Sequence, residues 1–306
     1  MTINLNESHL SDEILKNFSI IFQKTQVQEN LQLSLVSCKI ESFQIISEML
    51  QSKNNLVYLN LNMSAVNMFN NQIEFICKGI RNYSNLQKLK LDLAGCTIQD
   101  QGMEKLAECL IQLKKLNYLD LNVSQNKLGE ESGNYFSTAI CSLQELAFLK
   151  INLVENQIFT SDLLANSIKN LGSLKNLQEI QIQVFYRLIG QHKFQLQYQS
   201  GYLFNFCNQL SKFIYTQALS IVILPEIFQH ERVCQYFNEA IILMSKLKIL
   251  RIYSFYGNLN NLNQLLNGIQ FHQSLIYLNI HIESGPSNLT KHSDLKKTKR
   301  LVFIQS

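Results

Sequence analysis

The chain has 306 residues, a formal net charge of +4, and a composition that is 46% hydrophobic and 16% charged. It contains no run of the roughly eighteen apolar residues that a membrane helix requires. The small basic excess argues against a nucleic-acid-binding domain, which usually shows a stronger one. Because acidic residues and no basic start precede the first apolar stretch, we expect no secretory signal and a cytoplasmic location.

The first predicted element is an amphipathic helix near the N-terminus. The segment Ser11–Thr25 begins with a residue type that favours the helix N-cap. Its apolar residues at helical spacing are Ile14, Leu15, Phe18, Ile21 and Phe22. We therefore assign residues 1–27 to an N-terminal helical cap that covers the first strand of the domain.

Three consecutive segments then repeat the same apolar pattern every thirty residues, with Leu89, Leu119 and Leu149 at equivalent positions. The spacing is L-x-x-L-x-L-x-L-x-x-N/C-x-L, and a period of this size predicts a stacked solenoid. Alternating apolar residues predict a short strand in each unit. Leucines at helical spacing in residues 101–113 predict that a helix follows the strand.

Extending this register in both directions gives about nine repeats in residues 28–290. The units start at residues 28, 56, 86, 116, 146, 177, 216, 247 and 275. Only the interval from residue 177 to residue 216 is clearly longer than the others, which predicts an insertion near residues 185–215. A last, incomplete strand is expected within a basic C-terminal cap, residues 291–306.

The pattern resembles the ribonuclease-inhibitor-like class of leucine-rich repeat proteins over nearly the whole chain. Its corner positions, at which the chain turns away from the strand, hold an amide or a thiol at Cys38, Cys96, Asn126 and Asn156. The resemblance implies an α/β horseshoe with a parallel sheet on the concave face and α-helices on the convex face. It also implies that the protein acts by binding other proteins, although such a fold does not identify the partner.

The corner residues and the cysteines have a structural interpretation. A corner side chain can bond backbone groups that the turn would otherwise leave unpaired. The seven cysteines form no C-x-x-C pair, and several occupy positions where the repeat requires a small buried residue. We therefore expect free, buried thiols in a reducing compartment.

No motif for catalysis or cofactor binding is found. The chain lacks a phosphate-binding G-x-x-x-x-G-K-S/T loop, a G-x-S-x-G motif, an H-E-x-x-H motif and the protein-kinase motifs. Its six histidines are far apart and mostly in different repeats. We predict a protein that is not an enzyme and that uses no cofactor, metal ion or small-molecule substrate.

The predicted concave face is formed by the residues between the inward leucines. Its first outward column contains four aromatic residues, which are Tyr58, Tyr118, Phe148 and Tyr277. Aromatic rings on a rigid sheet bury a large area at low entropic cost, which is typical of protein interfaces. The alternative is that they pack on neighbouring strands. Both interpretations remain open at this stage.

The next two columns are polar. Because neighbouring strands lie about 4.8 Å apart, Lys90, Asp120 and Lys150 are expected to form a cation, anion, cation ladder. The simplest interpretation is a ladder that neutralises itself, and the alternative is a patch that recognises a charged partner segment. Arg251 and Tyr253 extend the same columns toward the C-terminus.

The insertion near residues 185–215 is rich in aromatic residues. We expect its later rings to lie on a helix that packs on the solenoid, and Phe194 and Tyr198 to contact a partner. In the C-terminal cap, a basic cluster from Lys291 to Arg300 is interpreted as a solvated face.

The leading functional hypothesis is a non-enzymatic protein-interaction scaffold that binds a partner protein on the concave sheet, together with the aromatic insertion. One alternative is a structural component of a large cytoskeletal or ciliary assembly. Another is a regulator that resembles leucine-rich GTPase activators, with Arg251 as the concave arginine. We expect no nucleic-acid or membrane partner, and the sequence predicts no oligomeric state.

Overall fold

The computed structural model describes residues 1–25, 29–156, 162–183, 199–223, 231–255, 268–270, 272–283 and 302–305. Over these residues the chain alternates parallel strands with helices and forms a leucine-rich repeat solenoid. Each strand lies on one side of a thin core and each helix on the other.

The elements follow one another in a regular order along the chain. The strands are β1 (Thr2–Asn4), β2 (His9–Leu10), β3 (Asn30–Ser34), β4 (Lys39–Ile40), β5 (Tyr58–Asn62), β6 (Lys88–Asp92), β7 (Tyr118–Asn122), β8 (Phe148–Asn152), β9 (Glu179–Gln183), β10 (Ala218–Ile223), β11 (Ile249–Phe255), β12 (Tyr277–Glu283) and β13 (Val302–Gln305). The α-helices are α1 (Asp12–Lys24), α2 (Phe43–Gln51), α3 (Asn70–Ile80), α4 (Asp100–Leu110), α5 (Glu130–Cys141), α6 (Leu163–Ser167), α7 (Gln199–Leu210) and α8 (Glu231–Leu243). A short 3-10 helix, Leu171–Ser173, follows α6.

One parallel sheet contains eleven of the described strands, in the order β1-β3-β5-β6-β7-β8-β9-β10-β11-β12-β13. All nine strands predicted from the repeat are present, and they pair in the predicted register. Leu89 pairs with Leu119, and Leu119 pairs with Leu149. Strands β2 and β4 form a separate small parallel sheet. The concave columns read from the sequence are therefore real rows of neighbouring side chains.

The core consists of the inward rows of the sheet and the facing sides of the helices. Leu89, Leu119 and Leu149 are each 0% exposed, because a strand directs alternate side chains to one face. Full burial of one such side chain contributes about 1.5–3 kcal/mol. Since every repeat adds two or three of these residues, the apolar rows hold successive repeats together.

The turns after β1, β3, β5, β6, β7 and β8 each contain a residue in the left-handed region. These residues are Glu7, Ser37, Ala65, Gly95, Gln125 and Glu155, with φ between 54° and 65°. Only one of them is a glycine, the residue type that adopts this conformation without strain. Six successive turns therefore share one conformation, and bonds from the neighbouring turns stabilise it, such as Gln125 N to Val154 O at 2.8 Å.

The corner residues bond the backbone as expected. Asn126 Nδ2 donates to Leu93 O, Val123 O and Ser124 O at 2.9–3.0 Å, and its Oδ1 accepts from Ile98 N at 2.9 Å. Asn156 donates to Val123 O and Leu153 O and accepts from Leu128 N, again across two repeats. Cys38 and Cys96 donate once each to the backbone of the preceding repeat, through Sγ.

The N-terminal 25 residues contain a strand in addition to the predicted helix. β1 pairs with β3, Glu7 adopts the turn conformation of the later repeats, and Leu10 is buried. This segment therefore has the same strand, turn and helix order as a repeat. Strand β1 has three residues, and only one of them, Ile3, is apolar. An alternating apolar pattern therefore could not predict this strand.

Helix α1 begins where the sequence predicts, with the Ser11 side chain accepting from Ile14 N at 3.4 Å. Its expected apolar face is only partly buried. Leu15 and Phe22 lie in the core, whereas Ile14 and Ile21 are 50% and 64% exposed. Helix α1 packs against α2 and is the first helix of the chain, so part of its apolar side stays exposed.

The helix of the long repeat packs on the solenoid. Of the later rings of the insertion, Phe206 on α7 and Phe213 shortly after it are buried as expected, whereas Phe204 on α7 is 43% exposed. Phe194, Tyr198 and the basic cluster Lys291 to Arg300 lie outside the described residues. Among the helices of the described ranges, none has the length and apolarity that crossing a membrane requires.

Candidate functional site

Two aromatic residues of the first concave column form a stacked pair. The rings of Tyr118 on β7 and Phe148 on β8 are 4.3 Å apart between centroids and 2° from parallel. Both side chains remain half-buried. The rings therefore pack on each other across neighbouring strands and still present part of their surface to solvent.

The other aromatic residues of the column lie apart from this stack. Lys88 separates Tyr58 on β5 from Tyr118, because the three residues pair in adjacent strands. Tyr277 lies on β12, where its ring is 5.8 Å from the guanidinium carbon of Arg251. The sheet thus brings together Tyr118 and Phe148, and it places Tyr58 and Tyr277 at separate positions.

The predicted ladder of Lys90, Asp120 and Lys150 forms only in part. Lys150 Nζ lies 3.4 Å from Asp120 Oδ2. Lys90 Nζ instead lies over the Tyr118 ring, 5.8 Å from its centroid, and no described carboxylate is within 4.0 Å of it. The backbone register placed both lysines equally close to Asp120. The side-chain conformations instead give one ion pair, between Asp120 and Lys150, and leave Lys90 as a separate cation.

A second polar group lies further along the sheet. Arg251 Nη1 is 3.9 Å from Glu179 Oε1 and donates to Ser220 Oγ at 3.4 Å. Gln181 also donates to Glu179, at 2.9 Å. Tyr253, two residues after Arg251 on β11, is half-buried. Glu179 was not predicted as a site residue, although its position in the aromatic column was a usable signal.

The third concave column has a turn-forming role that the sequence analysis missed. Asn62, Asp92, Asn122 and Asn152 each accept a hydrogen bond through Oδ1 from the backbone N–H two residues later, at 2.9–3.2 Å. Asn and Asp commonly form such local bonds in turns. Their presence at the end of four successive strands was the signal in the sequence.

Residues of the second and third columns line a polar depression of about 170 Å³ on the concave face. It is lined by Asn60, Asn62, Lys90, Leu91, Asp92, Asp120, Asn122, Lys150, Asn152 and Gln183. The Tyr118–Phe148 stack and Tyr58 lie beside it in the neighbouring column. Charged groups, amides and aromatic rings are therefore all available within one small area of the sheet.

Burial raises the pKa of the two tyrosines next to the depression. For Tyr58 an interaction with Asn60 partly opposes the effect of burial, and the negative charge of Asp120 adds to it. For Tyr118 the Asp120 charge again raises the pKa further. Both phenols are therefore neutral near pH 7, and their hydroxyl groups can donate hydrogen bonds.

A second depression, of about 450 Å³, lies on the convex side between α3 and α4. Cys77 and Cys109 form part of it, and a side-chain hydrogen bond with Cys109, together with burial, raises the pKa of the Cys77 thiol. Within the ranges that the structure describes, no three His, Cys, Asp or Glu side chains are grouped as metal ligands. All seven cysteines are free thiols, and all but Cys141 are buried.

Comparisons with known proteins give only a distant structural resemblance. No protein-family model and no curated protein matches the chain. Among solved structures, the crystal structure of the Rad7 and Elc1 complex in yeast contains a chain that is 14% identical, with a TM-score of 0.33. The match covers 96% of this chain and 87% of that chain.

Proposed function

We propose that this protein is a non-enzymatic protein-interaction scaffold whose partner binds the concave sheet over strands β5 to β8. The observation that carries the proposal is the Tyr118–Phe148 stack, which lies half-exposed beside the polar depression. Binding energy at protein interfaces concentrates in such aromatic residues, while surrounding polar groups provide orientation and specificity. A rigid parallel sheet holds both in place before the partner arrives, so that little entropy is lost on binding.

We also propose that the chain belongs to the ribonuclease-inhibitor-like class of leucine-rich repeats. The support is the convex side of the regular repeats, where α2 to α5 are true α-helices of 9 to 12 residues. A cytoplasmic location is part of the proposal, because the cysteines are free and mostly buried, as in a reducing compartment. The insertion residues Phe194 and Tyr198 remain proposed partner contacts.

A structural role in a larger assembly is the second candidate, and one observation favours it. Ile14, Ile20 and Ile21 on α1 are each at least half exposed at the N-terminal end of the solenoid. An assembly component would use such an additional surface. The GTPase-activator alternative has less support, since Arg251 is held on the sheet by Glu179 and Ser220 instead of extending toward a partner.

The test compares three forms of the intact chain in affinity purification and crosslinking. The concave variant carries Tyr118→Ala and Phe148→Ala. The matched control is Phe69→Ala, which removes a ring that is 59% exposed on a loop before α3. We expect the concave variant to lose a saturable partner that the control variant retains.

Two further measurements make the result decisive. Circular dichroism and thermal unfolding must show that both variants fold. A photo-crosslinking residue at position 60, in the depression, must label the same partner. Equal recovery of that partner by the concave variant and the control would contradict binding on the concave sheet, and detectable turnover of a substrate would contradict the non-enzymatic role.

A further inference from the structure

We infer that the partner segment is an extended acidic peptide, whose carboxylates bind Lys88 and Lys90. The inference rests on the proposed function and narrows it to one class of partner. It rests on an imbalance in the charges of the concave face. The carboxylates of this face have partners within the protein, whereas two of its lysines have no carboxylate nearby in the described structure.

The carboxylates of the three concave columns all have partners in the described structure. Asp120 pairs with Lys150 at 3.4 Å, and Glu179 lies near Arg251 and accepts from Gln181. Asp92 Oδ1 accepts from the backbone N–H of Ala94 at 3.0 Å. Two of these three carboxylates thus lie next to a cation of the protein, and the third is hydrogen-bonded to the backbone.

Two of the four concave cations are not compensated in this way. Within the described part of the chain, neither Lys88 nor Lys90 has a carboxylate within 4.0 Å. Lys88 is exposed, and Lys90 reaches only the ring of Tyr118. A ligand carboxylate would gain an ion pair here without first breaking one, whereas a ligand cation would compete with Lys150 for Asp120.

The amides around the depression add hydrogen-bond donors to these cations. Asn62, Asn122 and Asn152 use their Oδ1 atoms in the turn bonds. The three Nδ2 groups donate no hydrogen bond to a described residue. Because a carboxamide has one acceptor and two donor hydrogens, fixing its oxygen in the turn leaves the NH₂ group for a ligand. The carbonyl oxygens of a peptide backbone supply acceptors of this kind.

The spacing of the lysines predicts a pattern in the ligand. Lys88 and Lys90 are alternate residues of β6 and point to the same side of the sheet. Alternate side chains of any extended segment are separated by about 7 Å. A peptide with acidic residues at positions i and i+2 therefore matches the spacing of the two lysines along the strand, and the Tyr118–Phe148 stack is available for an apolar side chain beside them.

The experiment selects peptides from a displayed library of random 12-residue sequences on the intact chain. We expect enrichment of Asp or Glu at alternate positions. Selected peptides, synthesised with a fluorescent label, are then titrated by fluorescence anisotropy against Lys88→Glu/Lys90→Glu. Reversal of both charges should weaken binding at least about tenfold, and added salt should weaken binding to the unmodified chain.

The matched control is Lys114→Glu/Lys127→Glu, which makes the same change in net charge at two exposed lysines outside the concave columns. Binding to this control should stay within about twofold of the original affinity. Replacement of the acidic residues of a selected peptide by Gln or Asn should reproduce the loss seen with the Lys88 and Lys90 variant. Circular dichroism checks that all the variants fold.

The outcomes separate this inference from the proposed function. Peptides without acidic bias that depend on Tyr118 and Phe148 would overturn the acidic partner and leave concave binding intact. Peptides that ignore both the aromatic and the lysine substitutions, or the absence of any selected peptide, would overturn both. A 12-nucleotide single strand that displaces the peptides and depends on Lys88 and Lys90 would overturn the peptide class in favour of nucleic acid.

Discussion

The solenoid has two parts that share one sheet and differ in the residues at the C-terminal ends of its strands. In the N-terminal stack, residues 29–156, four successive strands end in an Asn or Asp that bonds its own turn. In the C-terminal stack, residues 162–283, the same column holds Gln183, Val222, Tyr253 and His281. Parallel register nevertheless continues from one part into the other through β8 and β9.

This comparison separates two kinds of stabilisation. The inward apolar rows and the backbone hydrogen bonds keep the strands in register in both stacks, since they do not depend on which polar residue ends the strand. The polar side chains of the N-terminal stack add local order to the turns. We therefore expect these side-chain bonds to slow amide hydrogen exchange in the turns of the N-terminal stack.

The largest expected effect comes from removing a corner amide of the N-terminal stack. Asn126→Ala eliminates three donated hydrogen bonds and one accepted bond, all buried. We expect a loss of about 3 kcal/mol in the free energy of unfolding, because several buried backbone groups lose their partners. Urea denaturation measures it.

The control for this substitution is Asn117→Ala. The Asn117 side chain makes no hydrogen bond with a described residue, so its removal should cost less than about 0.5 kcal/mol. A similar loss for both variants would show that the corner amide contributes no more than any other Asn.

The next effect concerns the space around two helical glycines. Gly133 lies where the two stacks join, and Gly201 lies in the C-terminal stack. A Cβ on Gly133 in α5 would lie 2.6 Å from Leu163 O, whereas a Cβ on Gly201 in α7 would have no atom within 4 Å. We expect Gly133→Ala to destabilise the protein by about 2 kcal/mol. Gly201→Ala should stabilise it by about 0.5–1 kcal/mol, because alanine favours a helix.

Thermal unfolding of the two glycine variants shows whether the contact matters. Opposite shifts of the midpoint are expected. A stabilising Gly133→Ala would mean that α5 and α6, which meet where the two stacks join, move apart without cost.

A smaller effect is expected from the two concave ion pairs, one in each stack. Asp120 is 18% exposed and lies 3.4 Å from Lys150, whereas Glu179 is 33% exposed and lies 3.9 Å from Arg251. Asp120→Asn should cost about 0.5–1 kcal/mol and Glu179→Gln less than about 0.5 kcal/mol, because solvent screens the longer and more exposed pair. Denaturation at low and high salt measures the difference, and the reverse order would contradict this ranking.

The smallest difference between the stacks is expected in the rate at which their buried thiols react with a thiol reagent. Burial raises the pKa of Cys96 and of Cys207, one in each stack, to about 12. Both should therefore resist a thiol reagent at pH 8, and half-buried Cys141 should react first, as mass spectrometry of the labelled protein can show. Labelling of Cys207 as fast as Cys141 would indicate local opening of the C-terminal stack.

The raised pKa values of the same two thiols also predict how the free energy of unfolding changes with pH. In the unfolded chain a thiol loses its proton near pH 8.5, whereas Cys96 and Cys207 keep theirs in the folded protein up to about pH 12. The folded state then binds more protons, so their contribution to stability falls as the pH rises from about 8.5 to about 12. Cys96→Ala should reduce this dependence.

The repeat made the strands, their register and the corner residues predictable, because a side chain that recurs every thirty residues occupies the same environment each time. Strand β1 was missed because three residues with one apolar side chain carry too little pattern. The pairing of Asp120 with Lys150 and not Lys90 was not predictable, since it depends on side-chain conformation and not on spacing.

By itself, the amino-acid sequence determined the solenoid, its parallel sheet and the set of residues on its concave face, because burying a periodic apolar row leaves a single register. Only the tertiary structure decided which of those residues act together. Side chains from different repeats meet across the strands, and their contacts determine which charges are compensated, which amide oxygens are used in turns and which rings stack.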